Sequence, residues 1–512
     1  MTVEPELPPG TSPQARRVIL GVLIAMFVAT LNGTVVAVAL PTIAEELDGF
    51  GLLAWVIAAY LVASTVVTPI YGKLCDLYGV RRVLALSLLL FLASTVLCAA
   101  SVSMPMLVAA RVVQGIGGGG LITLSQAAIA EVVSLRDRGR WAGHISTTFA
   151  LSSVIGPVLG GYLTERLSWP WLFLVSLPIG LLALVISWRG LASLPIPGRR
   201  RAIDWIGSVL LASGVSAALI TITRIGQGAA WNDRPNLWWL GLTIVLVGGF
   251  AWREARADDP VLPVRLLRHR IIALGLATQF AGHALMIALT VMVPLQMQVV
   301  TGVGAGGAGW ALMAMSLGTP LGSFVGGFSM TRTGRYRPQQ MIGAALCLAA
   351  MATLALTLSP TGRWAAPLLG VIGFGFGLQF PTTLVAIQNA APAAMVGSVT
   401  AAVAFVRSLG AALLVAALST VLLRVVQADV PGLADAMSGT EVLRLLTASD
   451  PVAAAHGAAG AAGAATASPA AAIGPMRDAA AHAFRIIYGL CALGALGSLV
   501  LYGFMPERPL RT

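Results

Sequence analysis

Long apolar stretches broken by short polar packets run from one end of the chain to the other. A helix needs about 20 predominantly apolar residues to cross a bilayer. Fourteen stretches approach or exceed that length: 17–40, 53–72, 82–101, 105–130, 141–163, 170–188, 205–224, 237–253, 271–297, 305–329, 339–359, 364–389, 397–424 and 483–504. The strict alternation that marks a membrane β-barrel is absent. The pattern therefore predicts an all-α polytopic membrane protein with 14 transmembrane helices and both termini on one side. The first stretch is longer than the apolar part of a secretory leader and ends in Leu40-Pro41 without a small-residue cleavage site, which predicts a retained span.

Composition agrees with this pattern. Of 512 residues, 57% are hydrophobic and only 10% charged, with a mean hydropathy of +0.87, whereas soluble domains carry about 25% charged residues. The net charge of +12 does not point to nucleic acid, because the basic residues recur in small packets between apolar stretches. With a cytoplasmic N-terminus, 22 of the 32 basic residues fall in inside loops or tails and six in outside loops. That bias predicts cytoplasmic tails at 1–16 and 505–512. Arg111, Arg407, Arg424 and Arg485 remain within or at the ends of spans. The four cysteines, Cys75, Cys98, Cys347 and Cys491, are too scattered for a disulfide framework or a metal site and read as packing residues. Residues 425–482 form one long outside loop; its 451–480 portion is mostly Ala, Gly, Pro and Ser and is expected to be poorly ordered.

Local motifs narrow the function. The loop after the second stretch reads Gly72-Lys73-Leu74-Cys75-Asp76-Leu77-Tyr78-Gly79-Val80-Arg81-Arg82. Its glycines permit a tight turn between close helices, and Asp76, Arg81 and Arg82 sit where they can bond helix ends or one another. A weaker copy, Gly326 to Arg335, follows the tenth stretch without the Asp. The fifth stretch carries Gly156-Pro157-Val158-Leu159-Gly160-Gly161, small residues for close packing around a missing backbone donor. Further stretches are Leu31 to Pro41, Arg111-Val112-Val113-Gln114-Gly115, Trp169 to Phe173 and Phe405 to Gly410.

On these residues the chain resembles the major facilitator superfamily, and with fourteen spans its drug:proton antiporter branch. The resemblance implies an N-terminal six-helix bundle at 17–188, two additional helices at 205–253 and a C-terminal six-helix bundle at 271–504. It also implies gating by Gly72, Asp76, Gly79, Arg81 and Arg82 on the inside and by Gly156, Pro157, Gly160 and Gly161 between the halves. The family's first-span motif usually has an acid where this chain has Asn32, and none of the 20 acids lies at mid-membrane. The proton-coupling candidates are consequently His283, Arg111 and Glu131. His283 shares a helix face with Gln279 and Met286, and Arg111 lies at a depth where it can face Asn32.

Met26, Asn32, Gln114, Phe149, Gln279, Trp310, Phe376, Gln379 and Phe380 are the expected cavity walls, apolar and aromatic with a few amides. The nucleotide motif GxxxxGK[ST] is absent. The expectation is a monomeric secondary transporter of the bacterial cytoplasmic membrane, exporting drug-like amphipathic small molecules in exchange for protons, without cofactor, metal or nucleic acid. The alternatives are an exporter of one neutral or anionic metabolite or lipid without acid-mediated coupling, and a membrane channel or receptor. An enzyme is disfavoured because no cluster of ionisable groups shares one depth.

Overall fold

A computed structural model describes residues 13–47, 52–133, 135–193, 204–226, 229, 231–256, 267–301, 305–357, 365–392, 395–430 and 469–508. Among these residues the regular elements are all helical: α1 Pro13–Glu46, α2 Leu53–Tyr78, α3 Val80–Ala99, α4 Met104–Val132, α5 Leu135–Arg166, α6 Pro170–Leu174, α7 Ser176–Gly190, α8 Trp205–Gly226, α9 Arg234–Arg256, α10 Arg270–Thr301, α11 Ala305–Thr333, α12 Arg337–Leu356, α13 Ala365–Ala390, α14 Val396–Asp429 and α15 Pro469–Gly503. Among the described residues, eleven helical stretches are long and apolar enough to cross a membrane. The apolar part of α8 is shorter, Ile206–Ile222. The charged start of α5 and the many glycines of α11 dilute those two helices.

Two boundaries differ from the sequence expectation. The sixth apolar stretch is broken into α6 and α7 at Val175. The expected 425–482 loop shrinks at both ends, because α14 continues to Asp429 and α15 already begins at Pro469. Alanine is the best helix former and proline is well tolerated in a first turn, so the start of α15 winds up despite its low complexity. His482 Nδ1 meets Asp429 Oδ2 at 2.7 Å and ties the two helices together. Residues 431–468, with most of the low-complexity run, lie outside the described residues.

The helices pack as two bundles with one pattern. In the first, α4 packs on α2 and α3, and α1 on α5 and α7. In the second, α13 packs on α11 and α12, and α10 on α14 and α15. Glycine is what allows the central helix of each trio to come so close. A Cβ on Gly117 of α4 would lie 2.5 Å from the Phe91 backbone of α3, and one on Gly115 would lie 2.5 Å from the Tyr60 carbonyl of α2. On α13, Gly373 and Gly377 meet α11 backbone in the same way, and Gly375 would meet the Gly343 carbonyl of α12 at 2.6 Å. Large apolar side chains such as Leu86, Leu89, Leu181, Val245 and Leu493 stay exposed on the outer faces, where a bilayer would cover them.

The bundles meet along α2 with α14 and α5 with α11, and α8 sits on the α2–α14 seam. Val66, Leu211, Val215 and Phe405 join α2, α8 and α14 in one apolar cluster. The α8–α9 hairpin is held at its two ends by Arg253–Asp204 at 3.2 Å and Arg224 Nε to Asn236 Oδ1 at 2.9 Å. All four cysteines are buried and free.

Candidate functional site

The loop between α2 and α3 turns on Gly79, whose φ of 81° lies in the left-handed region that favours glycine. Its N–H donates to the Cys75 carbonyl at 2.9 Å and closes α2. Gly334 repeats the device between α11 and α12, with φ 69° and a 2.8 Å bond to the Met330 carbonyl. The two loops differ in what they reach. Asp76 crosses to the other bundle and accepts hydrogen bonds from the backbone N–H groups of Gly397, 3.1 Å, and Ser398, 3.0 Å, and from the Ser398 hydroxyl. It thereby caps the N-terminus of α14, where free N–H groups and the helix dipole favour a negative charge.

Gly72 lies one turn before Asp76, and a Cβ there would overlap Ala401 of α14. Arg81 does not join Asp76: its Nε donates to the Trp188 carbonyl at 3.1 Å, and its guanidinium stacks 4.1 Å over the Trp188 ring, inside the first bundle. Arg82 is exposed. In the second loop, counting back from the turn glycine, Thr331 stands where Asp76 does and its hydroxyl donates to the Gly327 carbonyl at 2.8 Å, while Met330 takes the place of Cys75 and is buried in an apolar cluster with Tyr336 and Ile271.

Arg111 and Arg407 lie well inside their helices, in different surroundings. Arg111 of α4 is only 1% exposed. Its Nε donates to the Val56 carbonyl at 3.0 Å, and its Nη1 donates to Asn32 Oδ1 and Gln114 Oε1, each at 2.6 Å. The Tyr60 ring lies 4.3 Å from its guanidinium carbon, and Gln114 Nε2 in turn donates to Thr95 Oγ1 at 2.9 Å. Four helices thus converge on one cation through neutral acceptors, a carbonyl and an aromatic face.

Arg407 of α14 is half-buried, and its Nε donates to Gln279 Oε1 of α10 at 2.8 Å. Gln279 Nε2 donates to the Phe380 carbonyl of α13 at 2.9 Å, and Arg407 lies 5.4 Å from the centre of the Phe380 ring. His283 approaches the same ring at 5.7 Å, and its Nδ1 is buried without a hydrogen-bond partner. Phe376 stacks on Phe380 at 5.4 Å.

Two bundles with a repeated packing pattern, a repeated loop and a cross-bundle cap agree with the comparison to known proteins. The Major Facilitator Superfamily model matches residues 22–415. The chain belongs to that superfamily. It is 35% identical over 410 residues to an uncharacterized MFS-type transporter of Mycobacterium tuberculosis, covering 79% of this chain and 59% of the relative, so it spans about three fifths of that relative's length. It is 32% identical to the multidrug transporter protein MdtP of Bacillus subtilis, covering 78% of this chain and 74% of the relative. The structure of the proton:xylose symporter XylE superposes with a TM-score of 0.60 at 14% identity, covering 97% of each chain, which shows the shared fold. Both of these relatives carry transporter names.

Within this superfamily fold the predicted site residues divide. Asn32, Arg111 and Gln114 come together, as do Gln279, His283 and Phe380. Met26, Asn32, Gln114, Gln279, Phe376 and Gln379 are all almost wholly buried in this structure. Gln379 Nε2 turns to the Gly375 carbonyl at 3.1 Å and the Cys347 sulfur at 3.5 Å, toward α12. Phe149 is half-buried on α5, and the side chain of Trp310 on α11 lies outside the described residues. Glu131 is exposed at the end of α4, twenty residues or about 30 Å along the helix from Arg111.

Gly156 and Gly160 face α1, where Cβ atoms would meet Thr34 and the Val35 carbonyl. In this conformation they join helices of one bundle rather than the two halves. The packing at Pro157 and Gly161 lies outside the described residues.

Sequence reasoning did not single out Gly397 and Ser398 as the partners of Asp76, nor Tyr60 and Thr95 around Arg111. A Gly-Ser pair at the start of a helix is a usable capping signal. The carbonyl and aromatic partners of Arg111 carry no sequence signal at all.

Proposed function

We propose that this protein exports drug-like, amphipathic small molecules across a bacterial cytoplasmic membrane by alternating access of its two bundles. It would do so as a fourteen-span member of the drug:proton antiporter branch, with both termini cytoplasmic. The observation that carries the reading is the Asp76 cap on the α14 N-terminus. A single carboxylate holds one bundle to the other on the arginine-rich side, and breaking three hydrogen bonds there frees the halves to rock. Efflux-pump names among its relatives support the export direction, and the multidrug name of MdtP supports drug-like cargo.

His283 is the titratable group in the helical layer whose unperturbed range spans physiological pH, and it is the proposed proton carrier. Proteoliposomes with an imposed pH gradient and substrates of different charge provide the test. Substrate-stimulated proton flux is expected, and it is expected to fall several-fold in His283→Gln. No transport of any substrate would sink the export reading, and undiminished flux in the variant would remove His283 from coupling.

One observation favours a second reading. Asn32, not an acid, faces Arg111 at 2.6 Å, which suits an exporter of a neutral or anionic metabolite coupled without a first-span carboxylate.

A further inference from the structure

Arg111 and Arg407 differ in what they have left to offer. Arg111 is enclosed, with its charge spread over neutral acceptors and the Tyr60 ring. Arg407 uses only its Nε, toward Gln279. Among the described residues its two terminal nitrogens make no hydrogen bond and no ion pair, and its side chain is only half-buried, unlike that of Arg111.

That side chain faces inward. Arg407, Gln279, His283 and Phe380 come from three helices and meet one another, and a point shared by α10, α13 and α14 lies inside the bundle rather than against lipid. Arg407 is nine residues past Ser398, and Gln279 is nine residues past Arg270, both about 14 Å from the arginine-rich ends. With a hydrocarbon core of about 30 Å, the cluster sits near mid-membrane, the depth at which transporters of this architecture bind their cargo.

We infer that Arg407 recognises a carboxylate on the transported molecule. The guanidinium fork matches a carboxylate in two parallel hydrogen bonds. Gln279 holds the Nε edge and so fixes the direction in which the terminal nitrogens point. His283, with an unpartnered Nδ1, supplies a second polar atom beside the same ring. The stacked Phe376 and Phe380 give that side an aromatic backing, and the half-buried Phe380 suits an apolar or aromatic body on the cargo. A cationic cargo would instead meet an uncompensated positive charge. The binding site needs only the fold; its part in export rests on the efflux reading above.

Dansylglycine and dansylglycinamide provide a matched pair, since they differ by a carboxylate against a neutral amide of the same size. Purified full-length protein is expected to gain more thermal stability from dansylglycine than from the amide. In proteoliposomes the ratio of dansylglycine to dansylglycinamide transport is expected to fall at least tenfold in Arg407→Gln and less in Arg407→Lys, which keeps the charge but not the fork. Gln279→Glu leaves Arg407 in place and gives it an internal carboxylate, so the same ratio should fall there too. If Arg407→Gln does not fold, Gln279→Glu alone decides between the two outcomes.

Equal stabilisation of the wild type by both compounds, or an unaltered ratio in Gln279→Glu or in folded Arg407→Gln, would overturn the inference. If dansylglycine stabilises the wild type and not the variants, yet no compound crosses the membrane, the export reading fails and the carboxylate site stands.

Discussion

At Arg111, a full charge is buried within the helical layer without an acid beside it. Its acceptors are Asn32, Gln114 and the Val56 carbonyl. A hydrogen bond to a charged group contributes about 1.5–3 kcal/mol. Asn32→Leu, which removes one acceptor, is expected to destabilise the purified protein by about that amount, read as a lower midpoint in thermal unfolding; an unchanged midpoint would mean that Asn32 does not hold the arginine. Asn32→Asp is expected to do the opposite chemically, placing a carboxylate on the guanidinium. Where the added negative charge reaches the transport path, export of a quaternary ammonium should rise relative to a neutral compound of similar size. That a polar residue of α1 faces Arg111 was legible from equal depth along two helices, whereas the Tyr60 ring, brought in by α2, was not.

Helices were the most legible level, because about 20 apolar residues between polar packets leave a chain in lipid little choice but to satisfy its backbone internally. What sequence could not supply was which face of each helix meets which neighbour. Gly156 illustrates the gap: the motif suggested a seal between halves, and the structure turns this glycine onto Thr34 of α1. Gly156→Leu should therefore push α5 away from α1 inside one bundle, an overpacking cost of about 1–3 kcal/mol. The expected result is reduced export with insertion preserved, checked by transport per inserted molecule. Gly373→Leu on α13 meets α11 backbone instead of a side chain, so it should be harsher and lower the yield of folded protein; equal effects from the two variants would count against this difference. The start of α15 is the converse error, where low complexity suggested disorder and alanine propensity prevailed.

For the molecule as a whole, Asp76 joins one bundle to the other at the α14 N-terminus. Asp76→Asn keeps the shape and removes the charge that faces the helix dipole, worth up to about 2 kcal/mol in a partly buried setting. The population is expected to shift toward states open on that side, seen as faster labelling of a cysteine introduced at Ala401, which packs against Gly72. Labelling no faster than in the parent protein would show that the cap does not hold the gate. The sequence by itself determined the helical class, the duplicated loop and the shortage of intramembrane acid, because each of these follows from local residue order and the cost of placing polar groups in lipid. Only the tertiary structure decided that Asp76 bonds a helix end rather than Arg81, that Arg111 is enclosed while Arg407 is only half-buried, and that Gln379 turns toward Cys347 of α12. Those outcomes depend on contacts between residues from tens to hundreds of positions apart, and helix rotation and tilt, which set such contacts, are fixed by packing against neighbours.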